Sequence, residues 1–192
     1  MTALHKRRCG PCTACCVALK IEAPELAKKA GEPCRHLKGG CGIYENRPDV
    51  CREFLCGWRL FEEFGDDWRP DLSGVLMMRK APSELPPAWQ GRPYGVHMVI
   101  IGGEAAVRRP AFAEQVARLV ARNIPVVMSA ASPSTLVNEH LTPATDLHSK
   151  LLELYALLHA ARWERGYLRM IPSLYRLLLD RQYAKLLSRS NG

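Results

Sequence analysis

The chain has 192 residues, of which 47% are hydrophobic and 24% are charged. This balance is typical of a globular protein and excludes an intrinsically disordered chain. The longest apolar stretch, residues 96–101, is too short to cross a bilayer, and no apolar stretch follows the basic N-terminus. We therefore expect a cytoplasmic protein with no signal peptide and no membrane partner.

The formal net charge of +8 is divided between residues 1–60 and 141–192, and the middle of the chain is nearly neutral. Nucleic-acid-binding proteins usually concentrate basic residues on one face or one helix. Cysteines that bind a metal are deprotonated, which would lower the net charge further. The charge pattern therefore argues against a nucleic-acid partner, and the sequence identifies no protein partner.

All eight cysteines lie within residues 9–56, in a region rich in Gly and Pro with little regular periodicity. Clustered thiolates are the ligands of Zn²⁺ and of iron–sulfur clusters, and a bound metal can organise a region that lacks a hydrophobic core. We therefore predict that residues 1–60 bind zinc or iron, the latter including an iron–sulfur cluster. The predicted metal ligands are Cys9, Cys12, Cys15, Cys16, Cys34, Cys41, Cys51 and Cys56.

The even number of cysteines is also compatible with four disulfides. Disulfide frameworks are typical of small secreted domains that cannot build a core, whereas cytosolic thiols stay reduced. Here the rest of the chain is long enough to build a core. The expected compartment therefore favours metal over disulfides.

The spacing of the cysteines leaves the number of metal centres open. The two-residue spacers suit a zinc knuckle and the first ligands of a ferredoxin cluster equally, although the Cys-Pro pair of ferredoxins is missing. The adjacent Cys15 and Cys16 indicate either two centres or one spare thiol. A helix predicted over residues 48–55 would place Cys51 and Cys56 about 140° apart, so they can share a metal only if the helix ends between them. Eight thiolates match two four-coordinate sites or one cluster with unused cysteines.

Other residues of the cysteine-rich region indicate a functional role less clearly than the cysteines do. Cys9-Gly10-Pro11-Cys12 has the spacing of a thioredoxin motif, but that motif needs a preceding strand, for which few residues are available. We interpret His36 as a residue that supports a ligand and not as a ligand itself. Arg35, Arg47 and Arg52 could offset the thiolate charge or be ordinary solvated side chains.

From about residue 73 the pattern becomes that of an α/β unit, extending to about residue 130. Three short apolar runs, residues 75–78, 96–101 and 124–128, are typical of buried strands. Residues 110–122 have apolar positions at helical spacing after a proline, which predicts a helix between the last two strands. We interpret Gly102-Gly103 as a tight turn and His97 as a packed core residue.

The remaining residues predict a polar connection and two helices. Residues 132–145 are mostly polar, and Leu147, Leu151, Leu154, Tyr155 and Leu158 share one face of a first helix. A second helix is marked by Leu174, Leu177, Leu178, Leu186 and Leu187, so that the helical segment covers about 143–190. The predicted fold class is α+β: an irregular cysteine-rich region, 1–60, packed on a body, 61–192, made of the α/β unit and the C-terminal helices.

Three motifs together resemble a bacterial cysteine-cluster family that is described as a zinc- or iron-chelating domain. They are Cys9-x2-Cys12-x2-Cys15-Cys16, Cys34-Arg35-His36-Leu37, and the Cys41 to Cys56 segment with its block Ile43-Tyr44-Glu45-Asn46-Arg47-Pro48. The resemblance covers residues 9 to about 58, and the rest of the chain looks like the C-terminal extension found in longer members of that family. It implies metal chelation but no defined cellular role. A related cluster occurs in the much longer flagellin lysine methylases.

The sequence favours a metal-binding protein but leaves two alternatives open. One is an iron–sulfur enzyme of redox or methyl-transfer type, and the other is a zinc-ribbon-like interaction module. No Ser-His-Asp arrangement, phosphate loop or histidine–glutamate zinc-protease motif is present in the sequence. Catalytic residues therefore stay unassigned.

Overall fold

The computed structural model describes residues 7–130 and 134–168 of the chain, which adopts an α+β fold. Four strands form one mixed sheet: β1 (Val75–Lys80), β2 (Gly95–Ile100), β3 (Val126–Ser129) and β4 (Ser134–Leu136). Seven α-helices are described: α1 (Ala14–Ala18), α2 (Asp49–Glu53), α3 (Gly57–Leu60), α4 (Pro70–Ser73), α5 (Gly103–Arg108), α6 (Pro110–Ala121) and α7 (Leu147–Leu168). No described helix is both long enough and apolar enough to span a membrane.

The sheet has the order β1-β2-β3-β4, in which β2 and β3 are parallel and both outer pairs are antiparallel. A parallel pair needs a crossover connection, which α5 and α6 provide between β2 and β3. Met98 pairs with Met77 on one side and with Met128 on the other, and all three side chains are fully buried. The predicted strand–helix–strand unit is therefore confirmed, within a sheet that also contains two antiparallel neighbours.

Helices α6 and α7 contribute their apolar faces to the same core. The proline at the start of α6 has no amide hydrogen to leave unsatisfied, so it suits the first turn. Phe112, Val116 and Leu119 of α6 are buried. The face predicted for the first C-terminal helix is also correct, because Leu151, Leu154, Tyr155 and Leu158 are buried in α7. The predicted second helix lies outside the described residues.

Two sequence predictions about connections are wrong. Residues 134–140 are not a simple polar loop, because β4 pairs with β3 and a short 3₁₀ turn, Val137–His140, follows it. Leu136 and Val137 are buried, and this burial stabilises regular structure here although the neighbouring residues are polar. The chain after β2 also becomes helical at Gly103, which has a φ of 67°, and not first at Pro110.

The cysteine-rich region packs on the sheet through α3. Gly57 lies so close to β1 that a Cβ atom there would be 2.6 Å from the Cβ atom of Met77. Cys12, Cys56 and Trp58 belong to the same buried cluster as Val75 and the other core residues of the sheet. The cysteine-rich region is thus anchored to the body through its C-terminal end and through Cys12.

Candidate metal centre

All eight cysteines line one cavity of about 140 Å³, and each of them has a free thiol. The cavity volume is several times the roughly 30 Å³ that one water molecule occupies in the liquid. Apolar side chains such as Leu19, Ile21 and Phe54 complete the lining. The fold therefore gathers the cysteines of three sequence segments around a common space.

The first cysteines are held by a tight turn followed by a short helix. The amide of Cys12 donates to the carbonyl of Cys9 at 3.0 Å, and Gly10 adopts the left-handed conformation that the turn requires. Helix α1 then carries both Cys15 and Cys16. Residues 7–9 form no strand and α1 has only five residues, so this part of the described chain lacks the context of a thioredoxin motif.

The middle cysteines are held against α1 by backbone hydrogen bonds. Ile21 and Lys28 exchange a pair of hydrogen bonds at 3.0 and 2.9 Å, which returns the chain towards α1. The amide of Cys34 then donates to the carbonyl of Cys16 at 2.9 Å. An isolated bridge between Leu37 and Cys41 closes the loop that follows Cys34.

The last two cysteines are positioned by two separate helices. Cys51 lies in α2, which ends at Glu53, and Cys56 precedes the first residue of α3. The helix predicted over 48–55 is therefore confirmed in a shorter form. Because it ends between Cys51 and Cys56, the two side chains are not fixed on one helix at a wide angle.

Backbone amides act on three of the cysteine sulfurs from two residues further along the chain. The amide of His36 donates to Sγ of Cys34 at 3.5 Å. Hydrogen bonding by the amides of Ala14 and Trp58 opposes the rise that burial causes in the pKa values of Cys12 and Cys56, and the amide of Arg59 acts on the pKa of Cys56 in the same way. Amide donors stabilise a negatively charged sulfur, as is usual around metal-bound cysteines.

A buried arginine lies beside these sulfurs. Arg59 lines the cavity and is only 9% exposed. Its Nε donates to the carbonyl of Arg7 at 2.8 Å, while its Nη1 has no hydrogen-bond partner among the described residues. A buried guanidinium is always charged and is costly without a compensating anion. Thiolates are the groups of this cavity that could supply that negative charge.

Burial and mutual contact shift the pKa values of the thiols. Desolvation raises the pKa of Cys12 to about 11 and also raises the pKa of Cys56. Cys15 donates a hydrogen bond to Cys16, which raises the pKa of Cys15 and lowers that of Cys16. Lys28 and Arg47 lower the pKa of Cys16 further. Cys12, Cys15 and Cys56 therefore resist ionisation, whereas Cys16 ionises more readily than a free thiol.

The charged residues named from the sequence have different surroundings. Arg47 stacks on the ring of Tyr44, 3.8 Å from its centroid, and lines the cavity. Arg35 is exposed and contacts the ring of His36, whereas Arg52 is exposed and pairs with Asp49. His36 lines the cavity, and its backbone amide contacts Cys34. Of the three arginines, Arg47 alone lines the cavity.

The other histidines discussed from the sequence bond to their own neighbours. Nε2 of His97 is 2.8 Å from Oγ of the buried Ser129. Desolvation lowers the pKa of His97 to about 4, so this ring is neutral at ordinary pH. Nε2 of His140 is 2.8 Å from Oγ1 of Thr135, and the amide of His148 contacts Asp146.

The cavity is not a finished coordination shell. Within residues 7–130 and 134–168, no three His, Cys, Asp or Glu side chains are already grouped as a metal site would require. Metal binding would therefore need the thiols to rotate towards a common ion. The cysteine thiols are nevertheless the soft donors that suit a thiophilic metal, and the nearby amides could stabilise them as thiolates.

Comparisons of the chain with protein-family models, with curated proteins and with solved structures find no significant match.

Proposed function

We propose that this protein binds zinc or iron, the latter including an iron–sulfur cluster, through the thiolates of its eight cysteines. The observation that carries the proposal is the single cavity that all eight line beside the buried Arg59, whose Nη1 has no partner in the described chain. Cysteines that only pack in a core need not gather around one cavity, whereas eight thiols around one space form a set of soft metal ligands.

The charge balance supports the proposal. A tetrahedral divalent ion bound by four thiolates carries a net charge of about −2. That anion would compensate the guanidinium of Arg59, which otherwise has no counter-charge in contact with Nη1 among the described residues. The amides that act on Cys12, Cys34 and Cys56 would stabilise the same thiolates.

The proposal also includes the family and the compartment. We propose that residues 9 to about 58 belong to the cysteine-cluster family that they resemble. We further propose that the protein works in the cytoplasm, because eight free thiols persist there without oxidation to disulfides.

Elemental analysis and an ultraviolet–visible spectrum of anaerobically purified protein test the proposal. We expect stoichiometric zinc in a colourless protein, or iron with charge-transfer absorbance. Cys12→Ser and Cys41→Ser should each lose metal, whereas Thr13→Ser, which keeps every thiol, should retain it. Unchanged metal content in both cysteine variants would contradict the proposal.

A further inference from the structure

The electrostatic interactions among the thiols follow a pattern that agrees with the backbone geometry described below. Cys15 interacts with Cys9 and Cys12, and Cys56 interacts with Cys9. Cys51 interacts with Cys16, Cys34 and Cys41. Cys15 also interacts with its neighbour Cys16, which links the first of these sets to the second.

Backbone geometry independently joins three members of the first set, Cys9, Cys12 and Cys56. The turn that closes between Cys9 and Cys12 places these two residues together. Arg7 and α3 are joined twice, because Arg59 Nε donates to the carbonyl of Arg7 at 2.8 Å and Arg7 Nη1 donates to the carbonyl of Trp58 at 2.6 Å. These bonds hold Cys56, at the start of α3, beside the chain that leads into Cys9.

Backbone geometry also joins three members of the second set, Cys16, Cys34 and Cys41. Cys34 is held to Cys16 by the 2.9 Å bond between its amide and the Cys16 carbonyl. The amide of Leu37 donates to the carbonyl of Cys34 at 3.0 Å, and Leu37 is bridged to Cys41. The loop thus holds Cys34 and Cys41 beside the backbone of Cys16.

The adjacent Cys15 and Cys16 explain why one short helix can serve both sets. Consecutive residues of an α-helix point about 100° apart, so their side chains reach different directions. Helix α1 contains both residues, which makes it the element common to the two sets.

Each set has its own cationic neighbours. Arg59, in α3, lines the cavity beside Cys56 of the first set, while Lys28 and Arg47 lie near Cys16 of the second. Two tetrathiolate centres would each carry a net charge of about −2, and the structure provides a positive group for each.

We propose that the chain holds two four-thiolate metal centres that each bind one tetrahedral divalent ion of the zinc class. The first centre is formed by Cys9, Cys12, Cys15 and Cys56, and the second is formed by Cys16, Cys34, Cys41 and Cys51. This division rests on the metal-binding function proposed above and assigns every cysteine to one ion.

Cobalt(II) titration of the full chain under anaerobic conditions tests the division, because cobalt thiolates absorb visibly in tetrahedral sites. The wild type should bind two equivalents of cobalt. Cys51→Ser and Cys56→Ser, one from each set, should each lose half of the tetrathiolate absorbance. The double variant Cys41→Ser/Cys51→Ser, within one set, should keep one intact tetrathiolate centre, whereas Cys51→Ser/Cys56→Ser should keep none.

A second measurement does not depend on the folding of variants. The wild type loaded with one equivalent of zinc is alkylated, and the protected cysteines are identified by mass spectrometry. Protection should appear together in the four members of a set. Protection that crosses the sets, or loss of all cobalt in both single variants, overturns the division but leaves metal binding intact. A wild type that binds neither cobalt nor zinc nor iron overturns the proposed function itself.

Discussion

Nε of Arg59 donates a hydrogen bond to the backbone carbonyl of Arg7 at 2.8 Å, which joins the chain on the two sides of the cysteine segment. The same guanidinium is 9% exposed, and its Nη1 has no partner among the described residues. A buried guanidinium with an unpartnered nitrogen is unfavourable, and the metal–thiolate anion proposed above would compensate its charge.

Arg59→Met should therefore weaken metal binding more than it destabilises the metal-free protein. We expect the affinity for zinc to fall roughly 10- to 100-fold, as for other residues that support metal ligands. The free energy of unfolding of the metal-free chain should change by about 1 kcal/mol or less, because the lost hydrogen bond is offset by removal of a buried charge. Competition with a chromophoric chelator and urea unfolding measure the two quantities.

Arg52→Met is the matched control, since Arg52 follows Cys51 but its side chain is 57% exposed and paired with Asp49. Its zinc affinity should match that of the wild type within about twofold, because exposed ion pairs contribute little. Equal affinities for the two methionine variants would contradict the role assigned to Arg59.

Removal of the metal should loosen the cysteine-rich region and leave the sheet folded. Amide exchange should accelerate in residues 9–58, including the Cys34 amide that bonds to Cys16. The amides that join β2 to β3 should keep their protection, because Val96, Met98 and Val126 are fully buried. Hydrogen exchange with mass spectrometry before and after chelation measures both regions. Equal exchange of residues 9–58 in the two states would show that metal does not organise them.

Gly57→Ala should destabilise the contact between α3 and β1. The added Cβ atom would lie 2.6 Å from the Cβ atom of Met77, which cannot move away as the end of a flexible side chain could. We expect a loss of about 1–3 kcal/mol in the free energy of unfolding. Metal affinity should also fall, since α3 carries Arg59. Gly91→Ala, with no atom within 4 Å of the new Cβ, should leave both quantities unchanged.

The half-buried His97 should make the protein less stable in acid. Its pKa is lowered from 6.5 to about 4, chiefly by burial and secondarily by Lys80. Above pH 6.5 neither state is protonated at this position; below it, the unfolded chain binds a proton that the folded chain does not bind until about pH 4. Stability should therefore decrease by about 3 kcal/mol as the pH falls through this interval.

His97→Gln should remove this part of the pH dependence. The difference in unfolding free energy between wild type and variant, measured from pH 7 to pH 4, isolates the contribution of His97 because both proteins share all other titrating groups. A constant difference over the whole interval would contradict the neutral state of the half-buried ring.

Much of the body of the fold follows from local pattern. The apolar faces of α6 and of the first part of α7, and the short apolar strands, could be predicted because burial imposes their periodicity. Helix α5 was not expected, since Gly102-Gly103 indicates a turn. Strand β4 was not expected either, because its Ser134 and Thr135 are polar and the strand depends on pairing with β3.

At the candidate site, the clustering of the eight cysteines in the sequence predicts that they lie together, but it does not predict which cysteines are neighbours. The grouping of Cys16 with Cys34 depends on one backbone hydrogen bond between distant segments, which no spacing rule contains. The sequence pattern also does not indicate that Arg59 is buried beside the cysteines. Its signal was a single charge between Trp58 and Leu60, next to the last cysteine, in an otherwise apolar run.

Native mass spectrometry of the anaerobically purified chain tests the central claim most directly, because one mass reports bound metal, displaced thiol protons and disulfides together. Metal binding through the cysteines predicts a mass increased by zinc or iron and decreased by the protons that the ligating thiols release. A chain that carries no metal, either with all eight thiols protonated or with two hydrogens lost for each disulfide, would contradict the claim.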